Sequence, residues 1–328
     1  MLGGAMVTGD AGLLFCYAES PVHAGGSESA GVVDLPIQRE QATRLPTVWG
    51  QSAKGALRDL AVEHARLGTP GWPRVERVFG SAPPGSAEAG GTGADGTGAD
   101  GAGADGPPLP GWLAVGDVRL VAFPVPTLAR TFAWVTSPLA LSRLLRLGQL
   151  AGRDDLPAVP TISVGDVAPA SSRWGETGAG LAVGEHNLTI VEPPASLSAW
   201  ATWLATHALP ADDASFGYFR KKLATDLLLV SDDDLAALTE EHVELLPRVQ
   251  LRADAKTVAA GPWYTEYLPA ETLLCTLLRD CVPPAGEARS RRLADLGGVL
   301  DNELLVAGGD ETLGKGMLWL RWCGTAAR

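Results

Sequence analysis

Residues 13–18 form the first uninterrupted apolar run and predict a strand buried on both faces. Residues 19–46 then lose all periodicity, and a loop that long inside a compact domain is usually functional. A helix is predicted from Ser52, with Leu57, Leu60 and Ala61 on one face and Gly68 as its stop. Residues 112–125 read as one or two strands, and Ser137-Pro138 starts a helix that turns Leu141, Leu144 and Leu145 inward. Residues 179–192, with a turn at 184–187, read as a β-hairpin. Residues 196–207 carry the stripe Leu197, Trp200, Trp203 and Leu204 of a helix. Strands are predicted over 246–253, 272–278 and 317–322, and a short helix over 290–296, stopped by Gly297-Gly298. Strands at both ends and irregular alternation favour an α+β sandwich with large insertions over a βαβ array.

Residues 90–106 break the pattern with a degenerate GTGAD repeat that cannot bury a core and is expected to be a disordered surface insertion. The remaining chain reads as one domain over 1–328. No apolar run reaches the roughly 18 residues of a membrane span, and the opening residues lack the charged start of a secretory leader. The four cysteines show no CxxC spacing and read as buried thiols of a reducing, cytoplasmic protein rather than a zinc site. The net charge of −12 argues against nucleic acid. The acids, however, concentrate in the repeat and in residues 232–244, whereas Arg39, Arg44, Lys54 and Arg58 leave a local basic face possible.

Two segments carry candidate chemistry. At Ser52 a helix starts with Lys54 in its first turn, where a cation opposes the helix dipole unless an anion docks there. Gly50 and Gly55 would let a backbone approach closely. Upstream, Asp34 is a lone carboxylate in the long loop, so the pair suggests phosphodiester chemistry if the fold brings them together. The second segment, Gly308 to Gly316, is one residue short of a P-loop. Gly316 replaces the magnesium-binding hydroxyl and a strand follows instead of a helix, which argues against nucleotide hydrolysis. Such a loop can still line a nucleic-acid backbone through its N–H groups.

The segments 21–25, 31–40 (GVVDLPIQRE) and 46–59 (PTVWGQSAKGALRD), then Val115-Gly116-Asp117, residues 134–139, residues 263–269 and the glycine-rich loop occur in order over nearly the whole chain. They resemble the backbone subunits of the type III-B CRISPR effector, the Cmr complex: the family of its fourth protein, within the RAMP superfamily. The resemblance implies a ferredoxin-like, RRM-type palm with insertions forming fingers and a thumb, for which the 179–192 hairpin is the candidate. It implies copies stacked in a filament on a guide crRNA, cutting complementary target RNA at regular steps, with the other Cmr subunits, including the large polymerase–cyclase subunit and the small subunit, as partners.

By the same resemblance Asp34 matches the catalytic aspartate and, with a divalent ion (Mg or Mn), the metal ligand. His23 and Tyr267 match residues near that site. The expected acid falls on Thr265, with Glu266 adjacent as the substitute. Arg39, Ser52, Lys54, Arg58, Gly308, Gly309, Gly314 and Lys315 become the RNA-binding set. Asp34 would either bind the metal or take the proton of the RNA 2′-OH. The competing classes are a structural RNA-binding filament subunit without chemistry, and a free-standing enzyme acting on a phosphorylated small molecule.

Overall fold

The computed structural model describes residues 10–26, 33–81, 110–210, 214–281 and 289–324; the repeat at 90–106 lies outside them. In chain order the regular elements begin with β1 (Ala11–Ala18), β2 (Thr47–Val48), α1 (Gly50–Leu67), α2 (Val75–Phe79), β3 (Leu113–Val115), β4 (Val118–Thr127), β5 (Thr131–Thr136) and α3 (Pro138–Leu150). Next come β6 (Asp166–Pro169), β7 (Gly180–Val183), β8 (His186–Ile190), α4 (Ala195–His207), α5 (Gly217–Thr225), β9 (Leu227–Val230) and α6 (Asp232–Glu241). The chain closes with β10 (Glu244–Leu251), β11 (Val258–Tyr267), β12 (Leu273–Asp280), α7 (Arg289–Leu300), β13 (Leu304–Val306) and β14 (Met317–Cys323).

Twelve strands form one sheet in the order β13-β14-β1-β12-β4-β5-β9-β6-β8-β7, with β2 on β4 and β3 on β12. Its centre is the antiparallel run β14-β1-β12-β4. Every residue of β1 is buried, because the sheet is covered on both faces. Leu14, Cys16 and Ala18 face a core that includes Leu57 of α1 and Leu293 and Leu296 of α7. Leu13, Phe15 and Tyr17 face the other core, with Leu141 of α3 and Leu197 and Trp200 of α4. The unbroken apolar run is thus the sequence trace of a strand with a helical layer on each side.

The mixed α+β architecture expected from the pattern is the one that forms. Two local expectations are corrected. Helix α7 runs through Gly297-Gly298 to Leu300 instead of stopping there. A Cβ at Gly297 would lie 2.1 Å from the Trp322 ring, so this glycine makes room for an indole rather than ending a helix. Cys16, Cys275 and Cys323 are buried, but Cys281 is exposed because it follows the last residue of β12. The predicted hairpin at 179–192 forms as β7 and β8, yet it belongs to the large sheet: β7 also pairs with β4 and β8 with β6, and Leu181, Val183, Leu188 and Ile190 are buried. Its turn is tied down by Gly184 N donating to Pro126 O (2.9 Å) and by His186 paired with Glu241 (2.8 Å). The hairpin that stands apart is β10–β11, a separate two-stranded sheet whose residues from 244 to 264 are mostly exposed.

Candidate functional site

The end of β11 organises the site. Its 264 and 266 backbone groups face away from β10 and are used by the long loop. Asp34 N and Leu35 N both donate to Tyr264 O at 3.1 Å, and Glu266 N donates to Leu35 O at 2.9 Å. Tyr264 N donates to Asp34 Oδ2 at 2.8 Å, which fixes the carboxylate while leaving it exposed. The other polar side chains of the 33–40 string are engaged inside the protein. Gln38 bridges Gly25 O and Trp49 N, Arg39 pairs with Glu266, and Glu40 pairs with Arg143. Asp34 is the exception: its second carboxylate oxygen has no partner among the described residues.

His23 lies farther along the same strand edge. Its Nδ1 donates to Glu266 O at 2.8 Å, since a carbonyl can only accept, and Nε2 is left to exchange a proton. Its anchor is two residues from that of Asp34, roughly 7 Å along an extended strand. The glycine-rich loop closes over it. Gly309 N donates to His23 O at 2.9 Å, and a Cβ on Gly308, whose φ is +95°, would lie 2.4 Å from that oxygen. A cleft of about 320 Å³ opens here, lined by His23, Gln38, Ser52, Gly308 and Gly309. Three motifs from residues 21–59 meet the glycine-rich loop from 308–316 in it.

Asp310, in the left-handed conformation at φ +66°, turns its carboxylate toward the hairpin. It accepts two 2.8 Å bonds from Arg248 of β10 and one 2.6 Å bond from the Tyr267 hydroxyl. Burial, and then the bond to Asp310, pushes the Tyr267 phenol up to about 12. Burial works against ionisation of Asp310, but the bonds from Tyr267 and Arg248 outweigh it and hold that carboxyl below its usual range. Lys315 Nζ sits 5.2 Å from the centre of the Tyr267 ring.

The helix start differs from its prediction. Helix α1 begins at Gly50, with Trp49 rather than Ser52 as its N-cap. The caps come from elsewhere: Gln38 Oε1 accepts from Trp49 N (2.6 Å) and Asp117 Oδ1 from Gly50 N (2.8 Å). Asp117 therefore supplies the negative charge that the helix dipole favours. Lys54 donates to Leu113 O (2.9 Å) and Arg58 to Gly80 O (2.8 Å), so both chiefly join α1 to its own neighbours.

The structure thus brings His23, Ser52, Gly308 and Gly309 to one cleft and Asp34 to the adjoining strand edge. Gly314 and Lys315 lie on the same glycine-rich loop. Three predicted roles do not fit. Arg39 is not presented to RNA, because its side chain is only 8% exposed and pairs with Glu266 at 2.7 Å. Glu266 offers no oxygen to a substrate: Oε1 takes Arg39 and Oε2 takes Ile37 N at 2.9 Å. Tyr267 is 1% exposed and aims its proton at Asp310. Arg248, Asp117 and the role of Asp310 were missed. Asp117 and Asp310 sit within recognisable motifs, while nothing in the sequence singles out Arg248. Among the described residues no group of three or more His, Cys, Asp or Glu is arranged to hold a metal ion. No helix among them is long and apolar enough to cross a membrane.

The profile of the RAMP superfamily matches residues 15–318. A Pyrococcus furiosus protein described as the CRISPR system Cmr endoribonuclease Cmr4 is 29% identical over 310 residues, 93% of each chain. The crystal structure of oligomeric Cmr4 from Pyrococcus furiosus superposes with a TM-score of 0.68 at 23% identity, covering 96% of this chain and 98% of that one. A chain of the type III-B Cmr-beta complex bound to cognate target RNA, solved by electron cryomicroscopy, gives 0.65 at 17% identity over 95% and 96%.

Proposed function

The chain belongs to the RAMP superfamily as a homologue of Cmr4, and from that premise we propose that it is the backbone subunit of a type III-B effector that binds guide RNA and cuts the paired target RNA. One observation carries the catalytic reading. In the 33–40 string every polar side chain but one is engaged internally, and that one, Asp34, is exposed and held by Tyr264 N.

A ferredoxin-like palm is supported by the central strands. In chain order they run β1-α1-β4-β12-α7-β14, in the sheet order β14-β1-β12-β4, all antiparallel, with α1 and α7 packed on the same side. The β10–β11 hairpin is the better candidate for the thumb than 179–192, because it stands free of the large sheet. It leaves Leu245, Val249, Trp263 and Tyr264 exposed, surface suited to burial against RNA bases or a second copy. The glycine-rich loop, with Lys315 and Ser52, would hold the guide backbone and leave His23 to face the target strand.

In the reaction, the free oxygen of Asp34 takes the proton of a target 2′-OH. The 2′-oxygen attacks the adjoining phosphorus and the 5′-oxygen leaves, giving a 2′,3′-cyclic phosphate and a 5′-hydroxyl. His23, protonated at Nε2, donates to the leaving oxygen. A divalent ion would be held by the free oxygen of Asp34 together with RNA phosphates, because among the described residues no group of three or more His, Cys, Asp or Glu is arranged to hold one. When bound it would neutralise phosphate charge.

The test is cleavage of guide-complementary RNA by the reconstituted complex, with 2′-deoxy nucleotides at the cut positions. Cleavage lost only at the substituted steps supports the reading. Unchanged cutting refutes 2′-OH attack. No cutting of the all-ribose target leaves the structural filament subunit as the function.

A further inference from the structure

We propose that Glu266 and Arg39 form a buried positioning pair that sets the register of the Asp34 loop against β11 without touching RNA; the inference rests on the catalytic reading of Asp34. On its other side the loop bridges Gly25 to Ile37 and Arg39 to Pro46, but its ladder against β11 is short. It makes one parallel bridge, Leu35 to Thr265, and the next residue is Pro36, which has no N–H to continue it. The next donor, Ile37 N, is taken by the side chain of Glu266 (2.9 Å) rather than by a strand carbonyl. The other oxygen of Glu266 holds Arg39 at 2.7 Å. Arg39 in turn donates to Arg44 O (3.2 Å) in the loop and Thr239 O (3.1 Å) in α6. The loop is thereby clamped on both sides of its proline.

Register matters because a slip of one residue in an extended segment turns every side chain to the other face. Asp34 would then leave its place beside Tyr264 N. The same residue also orients His23, through its main-chain oxygen at 2.8 Å. Glu266 thus links the two groups assigned to proton transfer while transferring none. A buried ion pair is weak evidence for stability, since apolar residues of equal volume often serve as well. Fixing one register is the role this geometry supports.

The experiment uses the reconstituted guide-loaded complex with Glu266→Ala, Glu266→Gln, Arg39→Met and, as the zero point, Asp34→Asn. Single-turnover cleavage is followed across pH alongside target affinity and guide content. Glu266→Ala and Arg39→Met are expected to cut up to about 100-fold more slowly, the scale of a misplaced catalytic group. Their target affinity and the shape of the pH profile should be unchanged. Glu266→Gln keeps one acceptor, for Ile37 N, and the same volume but loses the bond to Arg39, so its rate should fall between those of Glu266→Ala and wild type.

Four results would overturn the proposal: Glu266→Gln as inactive as Asp34→Asn, a limb missing from its pH profile, wild-type cutting by Glu266→Ala, or failure of Glu266→Gln to assemble. The first two make Glu266 a proton carrier, the third removes its role, and the fourth makes the pair an element of the fold. Wild-type cutting by Asp34→Asn would instead overturn the underlying reading of Asp34.

Discussion

Replacing Tyr267 by phenylalanine separates a structural phenol from a catalytic one. The ring is buried and stays, so no cavity forms; what is lost is the 2.6 Å bond to Asp310. Hydrogen bonds to charged groups contribute about 1.5–3 kcal/mol, and Asp310 keeps its two bonds from Arg248, so a loss near the lower end, ~1.5 kcal/mol, is expected at pH 7. The pH dependence has a definite sign. A carboxyl held below its usual range stabilises the fold above its unfolded pKa, and that stability disappears as pH falls through the folded value. Removing the Tyr267 bond brings Asp310 back toward its ordinary range. The stability gap between variant and wild type should therefore be full at neutral pH and shrink below about pH 4. Urea unfolding at pH 7 and at pH 3.5 reads this directly, and target cleavage by the assembled complex should stay within about threefold of wild type, well short of the ~100-fold loss of an acid–base group. A Tyr267→Phe protein of unchanged stability that no longer cuts RNA would refute the reasoning and return the phenol to the chemistry.

Two further perturbations test other parts of the account. Lys315→Ala should lower the salt dependence of guide retention by about one phosphate contact per copy, read from RNA co-purifying across a salt series; identical series for both proteins would remove Lys315 from the RNA site. Burial raises Glu271 to about 7 and one of its oxygens has no partner, so its ionised form opposes folding and stability falls as pH rises through that value. Glu271→Gln should melt with wild type at pH 5 and above it at pH 8, by ~1–2 kcal/mol after allowance for solvent screening; equal melting at both would refute the shift.

What was legible in the sequence was what depends on local pattern. The 13–18 run announced β1 because a strand covered on both faces has no polar position to interrupt it. The Ser137 cap was readable because the side chain that caps α3 belongs to the adjoining residue. The start of α1 was misread because its caps, Gln38 and Asp117, come from other parts of the chain, and no local signal marks them. Gly297-Gly298 looked like a stop because the large neighbour, Trp322, is brought in by the sheet. In the site, Asp34 and His23 were singled out by motifs that carry their own spacing, and both anchor on the edge of β11. Arg39, Glu266 and Tyr267 were given to RNA chemistry because a charged or phenolic side chain in a motif looks the same whether it faces solvent or a buried partner. Only the fold distinguishes them, by closing Arg39 on Glu266 and Tyr267 on Asp310.

The most direct measurement is the cleavage rate of guide-complementary RNA by complexes assembled with wild-type, Asp34→Asn and Asp34→Ala protein, with target affinity measured on the same preparations. The asparagine keeps an acceptor for Tyr264 N, so the loop keeps its anchor while the proton-accepting carboxylate is gone. Both variants are expected to bind target as wild type does and to cut at least about 100-fold more slowly. Cutting at the wild-type rate by Asp34→Asn, with target still bound, would contradict the central claim.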